Sequence, residues 1–149
     1  MSVTQREQEL EILIRAKYPL VYILSWEERR IEAMLVRIAA QMNKRLYAWT
    51  VTDGIMRVDA MRSDSVRLTE VDPGAQSPLQ ALAHIMESRE AALYLLKDFH
   101  PFLGSPQMAP DPAVVRKVRD LVPALKNSYK VVLFLSPVLR LPAELEKEI

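Results

Sequence analysis

Four short apolar runs, set between amphipathic segments, restrict this chain to very few folds. The runs are rich in β-branched and aromatic residues, and they lie at 20–24, 46–51, 91–96 and 130–135. Continuous apolar runs of this length are typical of strands that are buried on both faces. Capping signals and apolar residues at helical spacing predict helices at about 5–16, 26–42, 78–87 and 112–125. The alternation predicts an α/β three-layer sandwich with a mainly parallel sheet.

The length and composition fit a single domain that spans residues 1–149. The net charge of +1 gives no electrostatic case for binding nucleic acid or an anionic membrane. The chain has no cysteine, which excludes disulfides and thiolate metal sites. The amino terminus lacks the apolar centre of a signal peptide, and no apolar run approaches the ~20 residues of a membrane-spanning helix. We therefore expect a cytoplasmic protein.

Polar residues follow the predicted strands and form a candidate site. Right-handed crossovers place the carboxyl ends of parallel strands at one edge of a sheet, where open α/β folds bind ligands. The residues that follow the strands are Ser25, Asp53, Asp98, His100 and Ser136. Ser25 and Glu28 also have the spacing of a capping box, which predicts that the serine hydroxyl caps the second helix.

The first strand–helix junction lacks the loop that binds phosphate in P-loop nucleotide-binding proteins. That loop needs closely spaced glycines and a lysine followed by serine or threonine. Here the junction reads Ser-Trp-Glu-Glu-Arg, and the glycines lie elsewhere, at positions 54, 74 and 104. The carboxylates of Glu27 and Glu28 suit the positive end of the helix dipole and repel a triphosphate. The sequence therefore predicts no catalytic residue and no bound cofactor in this fragment.

The segment "ALYLLKD" has the form of a Walker B strand, whose final aspartate, here Asp98, holds Mg²⁺. Phe99 replaces the glutamate that activates water, and an aspartate after a strand is most often a turn residue. Two enzymatic alternatives stay open. One is a Mg²⁺-dependent phosphoesterase that uses Asp53 and Asp98, and the other is a phosphoacceptor domain that uses Asp98 with Glu27 and Glu28. No two histidines have the spacing of metal ligands, so no metal site is predicted.

Residues 55–76 interrupt the regular alternation of strands and helices. They carry Ile55, Met56, Val58 and Met61 without a clean helical or strand period. One interpretation is a small hairpin that covers the sheet edge and buries these side chains. The other is a loop that docks a partner, because loops carry function more often than the scaffold does. The second interpretation makes the four apolar residues a candidate interaction surface.

Five blocks of sequence carry a resemblance to a known family. They are "YPLVYILSWEERRIE", "LYAWTVTDGI", "LYLLKDFHPFL", "VVRKVRDLVPALKNSYKVVLFLSP" and "LPAELEKEI". Over nearly its whole length the chain resembles the N-terminal region of an uncharacterised AAA-type ATPase family of cyanobacteria, other bacteria and red-algal plastids. The resemblance implies a degenerate RecA/AAA-like domain, P-loop NTPase-like but without Walker A, followed in the full-length protein by a complete ATPase module.

The resemblance also implies a function and partners. A non-catalytic domain of this kind is expected to recruit a partner or substrate, or to regulate or assemble the attached ATPase. The expected partners are the downstream AAA module, other proteins and further copies of the chain, and ATP and Mg²⁺ are expected only in the downstream module. A plastid-encoded member is expected in the plastid stroma. Asp98 and the sensor-like Ser136 match the family only by their place in the fold, and Pro142 predicts a last helix that extends to Ile149.

Overall fold

The computed structural model describes residues 3–61, 66–104, 109–126, 128–142 and 145. Its helices are α1 (Val3–Arg15), α2 (Glu28–Gln41), α3 (Pro78–Glu87) and α4 (Pro112–Lys126), and none of these is long and apolar enough to cross a membrane. Its strands are β1 (Leu20–Leu24), β2 (Arg45–Thr50), β3 (Gly54–Ala60), β4 (Val66–Asp72), β5 (Ala92–Lys97) and β6 (Val131–Ser136). A short 3₁₀ helix covers His100–Leu103. The four predicted core strands and the helices between them are confirmed, with small shifts at their ends.

One sheet holds these strands in the order β1-β6-β5-β2-β3-β4. The first four pair in parallel, and β3 and β4 continue the sheet as an antiparallel hairpin. The two central parallel strands, β5 and β6, are buried along their entire length. Helices cover both faces of the parallel part, which explains why its strands are continuous apolar runs. The predicted three-layer sandwich with a mainly parallel sheet is confirmed.

Alternate residues of the strands enter two separate cores. Val21, Leu93 and Leu133 pack on one face of the sheet with the apolar sides of α1 and α2. Tyr94 and Phe134 pack on the other face with α3 and α4. The two-residue period of a strand produces this division, because successive side chains point to opposite faces.

The start of α2 differs from the prediction. The N–H of Ser25 donates a hydrogen bond to Ser136 O at 2.9 Å, so the backbone at Ser25 still follows the strand. The Ser25 hydroxyl therefore reaches only the N–H of Glu27, at 3.1 Å. Glu27 is the N-cap residue, and its side chain makes no capping bond to the helix that begins at Glu28. The predicted capping box is wrong because sheet pairing extends one residue beyond the apolar run.

The segment 55–76 contains the hairpin that the first interpretation predicts. Strands β3 and β4 pair with each other, and β3 pairs with β2, so the hairpin widens the main sheet. Gly54 opens β3 with a φ of 70°, a backbone conformation that glycine adopts at little cost. A Cβ atom at this position would lie 2.4 Å from Asp72 O, so the hairpin closes tightly only around glycine.

The outermost strand on the side opposite the hairpin is β1, and among the described strands it pairs only with β6. A groove of about 200 Å³ runs beside it and is lined by residues of α1 and β1, including Leu10, Leu13 and Ile23. At the end of the chain, the predicted helix from Pro142 to Ile149 lies outside the described residues except for Pro142 and Leu145. The Leu145 side chain is buried in the core that contains α3 and α4.

Candidate functional site

The carboxyl ends of β1, β6, β5 and β2 meet at one edge of the sheet, which we call the carboxyl edge. The N–H of Asp98 donates to Leu135 O at 2.9 Å, in the same way that Ser25 bonds to Ser136. Ser25, Asp98 and Ser136 are therefore brought together there, as the sequence predicts, while Asp53 follows β2 farther along the same edge.

Ser136 and His100 form a hydrogen-bonded pair at the carboxyl edge. The Ser136 hydroxyl donates its only proton to Val138 O at 2.7 Å. His100 Nδ1 lies 3.0 Å from the Ser136 hydroxyl oxygen. Because that hydroxyl has no second proton to donate, Nδ1 carries a proton and donates it to the Ser136 oxygen. Ser136 is 1% exposed and accepts a hydrogen bond from the histidine. A serine nucleophile instead donates its proton to the histidine that activates it, so this pair is not arranged for nucleophilic catalysis. The pair ties the 3₁₀ helix to β6.

The two aspartates of the phosphoesterase alternative hold turns. Asp98 is exposed and has a φ of 54°, and its carboxylate makes no ion pair or hydrogen bond with a described residue. The N–H of Asp53 donates to Thr50 Oγ1 at 3.0 Å, and its carboxylate accepts from the same hydroxyl at 3.3 Å. A magnesium-dependent phosphoesterase needs three or four carboxylates in one cluster. In the part of the chain that the structure describes, no group of three or more histidines, aspartates and glutamates could hold a metal ion.

Two carboxylates occupy the amino end of α2, where a phosphate-binding loop would present N–H groups. Glu27 is held by Arg30 at 3.2 Å and by Arg6 at 4.0 Å. Glu28 lies in the first turn of the helix. The partial positive charge of a helix amino end stabilises negative side chains, so these glutamates take the place of an anionic ligand.

A buried ion pair lies beneath this end of α2. The Lys97 ammonium, at the end of β5, lies 2.7 Å from Glu32 Oε1, and the two residues are only 6% and 3% exposed. Glu32 Oε2 is buried and has no hydrogen-bond partner among the described residues. The Lys97 ammonium is thus already neutralised inside the protein. This pair was not predicted from the sequence, although Glu32 has helical spacing to the buried Leu35 and Ala39.

Large apolar side chains are exposed at the carboxyl edge. Leu24, Trp26 and Leu139 are 57%, 81% and 57% exposed. Leu24 ends β1, Trp26 follows in the turn before α2, and Leu139 follows β6. Because β1 and β6 are paired neighbours, the three side chains flank one corner of the sheet. We call these three residues the apolar corner.

The candidate interaction surface in residues 55–76 is divided by the fold. Ile55 and Val58 are 1% and 4% exposed and belong to the two cores, so the prediction that they contact a partner is wrong. Strand pairing with β2 turns these two side chains inward. Met61 is 50% exposed and Met56 is half-buried. The docking role stays a prediction for these two methionines.

Sequence comparison assigns the chain to a family. The sequence model of the SpoVK-like AAA ATPase N-terminal domain matches residues 6–149. The chain belongs to this family. In this member of the family, the domain is a mixed α/β sandwich, and the described sheet is parallel except for one hairpin. The resemblance to the N-terminal region of an AAA-type ATPase is confirmed.

Curated relatives of this SpoVK-like domain are considerably longer than the chain. The "Uncharacterized AAA domain-containing protein ycf46" of Guillardia theta is 30% identical over 145 residues, which cover 95% of this chain and 26% of the relative. The protein of the same name from Trieres chinensis is 32% identical over 141 residues, covering 93% of this chain and 25% of the relative. The chain therefore spans about a quarter of the length of the relatives it matches. No solved structure matches the chain.

Proposed function

We propose that this N-terminal domain of an AAA ATPase is non-catalytic and that it regulates or assembles the ATPase, or recruits its substrate. The observation that carries the proposal is the amino end of α2, where Glu27 and Glu28 stand in place of a phosphate-binding loop. ATP and Mg²⁺ are assigned to the AAA module of the full-length protein, which lies outside this sequence.

Electrostatics argue against a nucleotide at this strand–helix junction. A bound triphosphate needs N–H groups and a lysine directed at its oxygens. Here the helix end faces two carboxylates, and the Lys97 ammonium is bonded to Glu32 in the interior. Moving that lysine to a ligand would leave the Glu32 carboxylate buried without a partner, which costs several kcal/mol.

The apolar corner supports a role in contact with the AAA module. Aromatic residues dominate the energetics of protein interfaces, and Trp26 is 81% exposed in the turn that a nucleotide-binding protein would use for phosphate. Exposed apolar patches mark contact sites, and Leu24 and Leu139 lie at or just beyond the ends of the paired strands β1 and β6. We assign this corner to the AAA module of the same protein.

Calorimetric titration of the domain with Mg-ATP tests the non-catalytic assignment. We expect no heat of binding at nucleotide concentrations up to about 1 mM. A dissociation constant in the micromolar range, corresponding to about −8 kcal/mol, would overturn the assignment.

A second experiment tests the contact with the AAA module. In the full-length protein, replacing Trp26 and Leu139 with serine should change the ATPase rate or the assembly state and leave the melting temperature of the domain unchanged. Ile12→Ser is the matched control, because Ile12 is 66% exposed on α1 and lies outside the apolar corner. Equal effects of the two changes, or no effect of the Trp26 and Leu139 change, contradict the assignment.

A further inference from the structure

A second concave site lies at the opposite edge of the sheet, where the strands begin. A cleft of about 160 Å³ opens between the end of α1, the end of α2 and the turn that follows α4. Its floor is apolar and is formed by Ile14, Met42, Leu125 and Val131. A cavity of this size is large enough for a six-membered aromatic ring, since an engineered cavity of about 150 Å³ binds benzene.

Four basic side chains line the cleft, and no described lining residue is acidic. Two of the four already have strong partners. Arg15 Nε donates to Glu11 at 2.9 Å on α1. The Lys130 ammonium donates to Ile85 O and Ser88 O, both at 2.7 Å, and so caps the end of α3.

The other two cations, Lys17 and Lys44, converge on one aromatic ring. Their ammonium groups lie 5.4 Å and 5.9 Å from the centre of the Tyr129 ring. Neither lysine forms an ion pair with a described carboxylate. Burial, and then the neighbouring Lys17 ammonium, lower the pKa of Lys44 below its ordinary value. Two like charges thus lie beside one ring, and no described carboxylate offsets their repulsion.

The backbone at Lys17 adds a second observation. Lys17 follows the end of α1 with a φ of 64°, a left-handed conformation that glycine adopts more cheaply than lysine. The chain therefore holds a lysine in a costly conformation, next to another cation. Helix dipoles explain part of this arrangement, because cations stabilise the carboxyl ends of α1 and α2.

We propose that this cleft is a binding site for a monoanionic carboxylate carried on a compact apolar or aromatic group. The carboxylate would lie between the Lys17 and Lys44 ammonium groups, and its apolar body would rest on Tyr129 and the floor. The carboxyl ends of α1 and α2 carry partial negative charge, which disfavours a dianionic phosphate; phosphates bind at helix amino ends. The carboxylate can belong to a small molecule or to an acidic side chain of a protein segment. This site is independent of the carboxyl edge, and the inference holds whether or not the proposed function is correct.

The site is tested by titrating the domain with benzoate at constant ionic strength. Nuclear magnetic resonance measures binding, and thermal melts measure the change in melting temperature. We expect benzoate to bind and to raise the melting temperature, and the neutral isostere benzamide to do neither. Replacing Lys17 and Lys44 with methionine should raise the benzoate dissociation constant by about tenfold or more, because each charged hydrogen bond contributes at least that factor. Lys117→Met removes the same charge from the middle of α4 and should leave binding unchanged.

Two further measurements cover misfolding of the double variant and the source of the carboxylate. If the double variant does not fold by circular dichroism, Lys44→Gln alone replaces it, with the same expected loss. A blocked Leu-Glu-Leu peptide that binds more tightly than benzoate identifies a protein segment as the source of the carboxylate, and weaker binding identifies a small molecule. The proposal is overturned if benzamide binds as well as benzoate, if inorganic phosphate binds more tightly, or if the lysine variants bind benzoate normally.

Discussion

The ion pair between Lys97 and Glu32 makes a strong prediction about stability. In Lys97→Met, the Glu32 carboxylate stays 3% exposed and loses its only described partner. Removing one member of a buried pair costs about 3–5 kcal/mol. This is a large share of the roughly 5–15 kcal/mol by which domains are stable. With an m-value of about 2 kcal/mol/M, the urea midpoint should fall by about 2 M.

Replacing both members of the pair should not lower the free energy of unfolding. In Lys97→Met combined with Glu32→Leu, neither buried charge remains, and Glu32 Oε2, which has no described partner, is also removed. Apolar replacement of a whole buried pair is often neutral, or stabilising by about 1–4 kcal/mol. The double variant should therefore be at least as stable as the natural chain, although the single variant is much less stable.

A double-mutant cycle in urea, followed by circular dichroism, measures the coupling of the pair. The exposed pair Arg116–Asp120, at 2.8 Å on α4, is the control and should couple by no more than about 0.5 kcal/mol. A cost of less than about 1 kcal/mol for Lys97→Met, or the same coupling energy for the two pairs, would contradict this prediction.

Three further predictions concern the backbone and the titration of single residues. Gly54→Ala should lower the free energy of unfolding by more than 1 kcal/mol in urea, because its Cβ would meet Asp72 O; an unchanged midpoint contradicts the hairpin geometry. Asp98→Asn should stay within about 0.5 kcal/mol of the natural chain and Asp98→Val should lose about 1–2 kcal/mol, because only the second residue opposes a φ of 54°; equal losses in thermal melts would show that the carboxylate has a partner. Burial and the hydrogen bond to Glu90 raise the pKa of Tyr47 in the folded state. The unfolded state therefore loses this proton first, and the free energy of unfolding falls as pH rises above about 10. Tyr47→Phe should reduce that alkaline loss in urea titrations at pH 9 and pH 11, and an identical loss would assign it to other groups.

Local sequence signals were sufficient for most of the fold. The apolar run of β1 and the helical spacing in α2 identify both elements, because burial on a sheet or on one helix face determines which positions must be apolar. The sequence Ser77-Pro-Leu-Gln80 is a capping pattern that predicts a helix from position 78, and the Ser77 Oγ accepts the N–H of Gln80 at 3.1 Å as that pattern requires. These features depend on residues within a few positions of one another.

The features that were missed depend on contacts between distant segments. Ser25 has the same capping pattern as Ser77, but pairing with β6 keeps it in the strand. The apolar run that predicts β5 ends at position 96, and a charged residue after such a run usually lies at the surface, so nothing in the pattern indicates that Lys97 is buried. Only the packing of α2 on β5 places Glu32 against it. The polar residues that follow the strands therefore lie at the carboxyl edge, as the predicted strand arrangement requires. The charges at that edge could not be deduced from spacing alone.

The position of β1 at the rim of the sheet has a consequence for how the isolated domain behaves in solution. The strand reads Leu-Val-Tyr-Ile-Leu, with no charged residue and no proline, and only one of its two sides is hydrogen-bonded to a described strand. The amide and carbonyl groups on its other side have no partner in a described strand and form a template that a strand of another molecule can extend. Natural proteins protect such rims with charges, bulges or covering segments. The domain expressed alone should therefore aggregate as its concentration rises. A lysine in place of Leu24, which is already 57% exposed, should suppress that aggregation with little effect on stability.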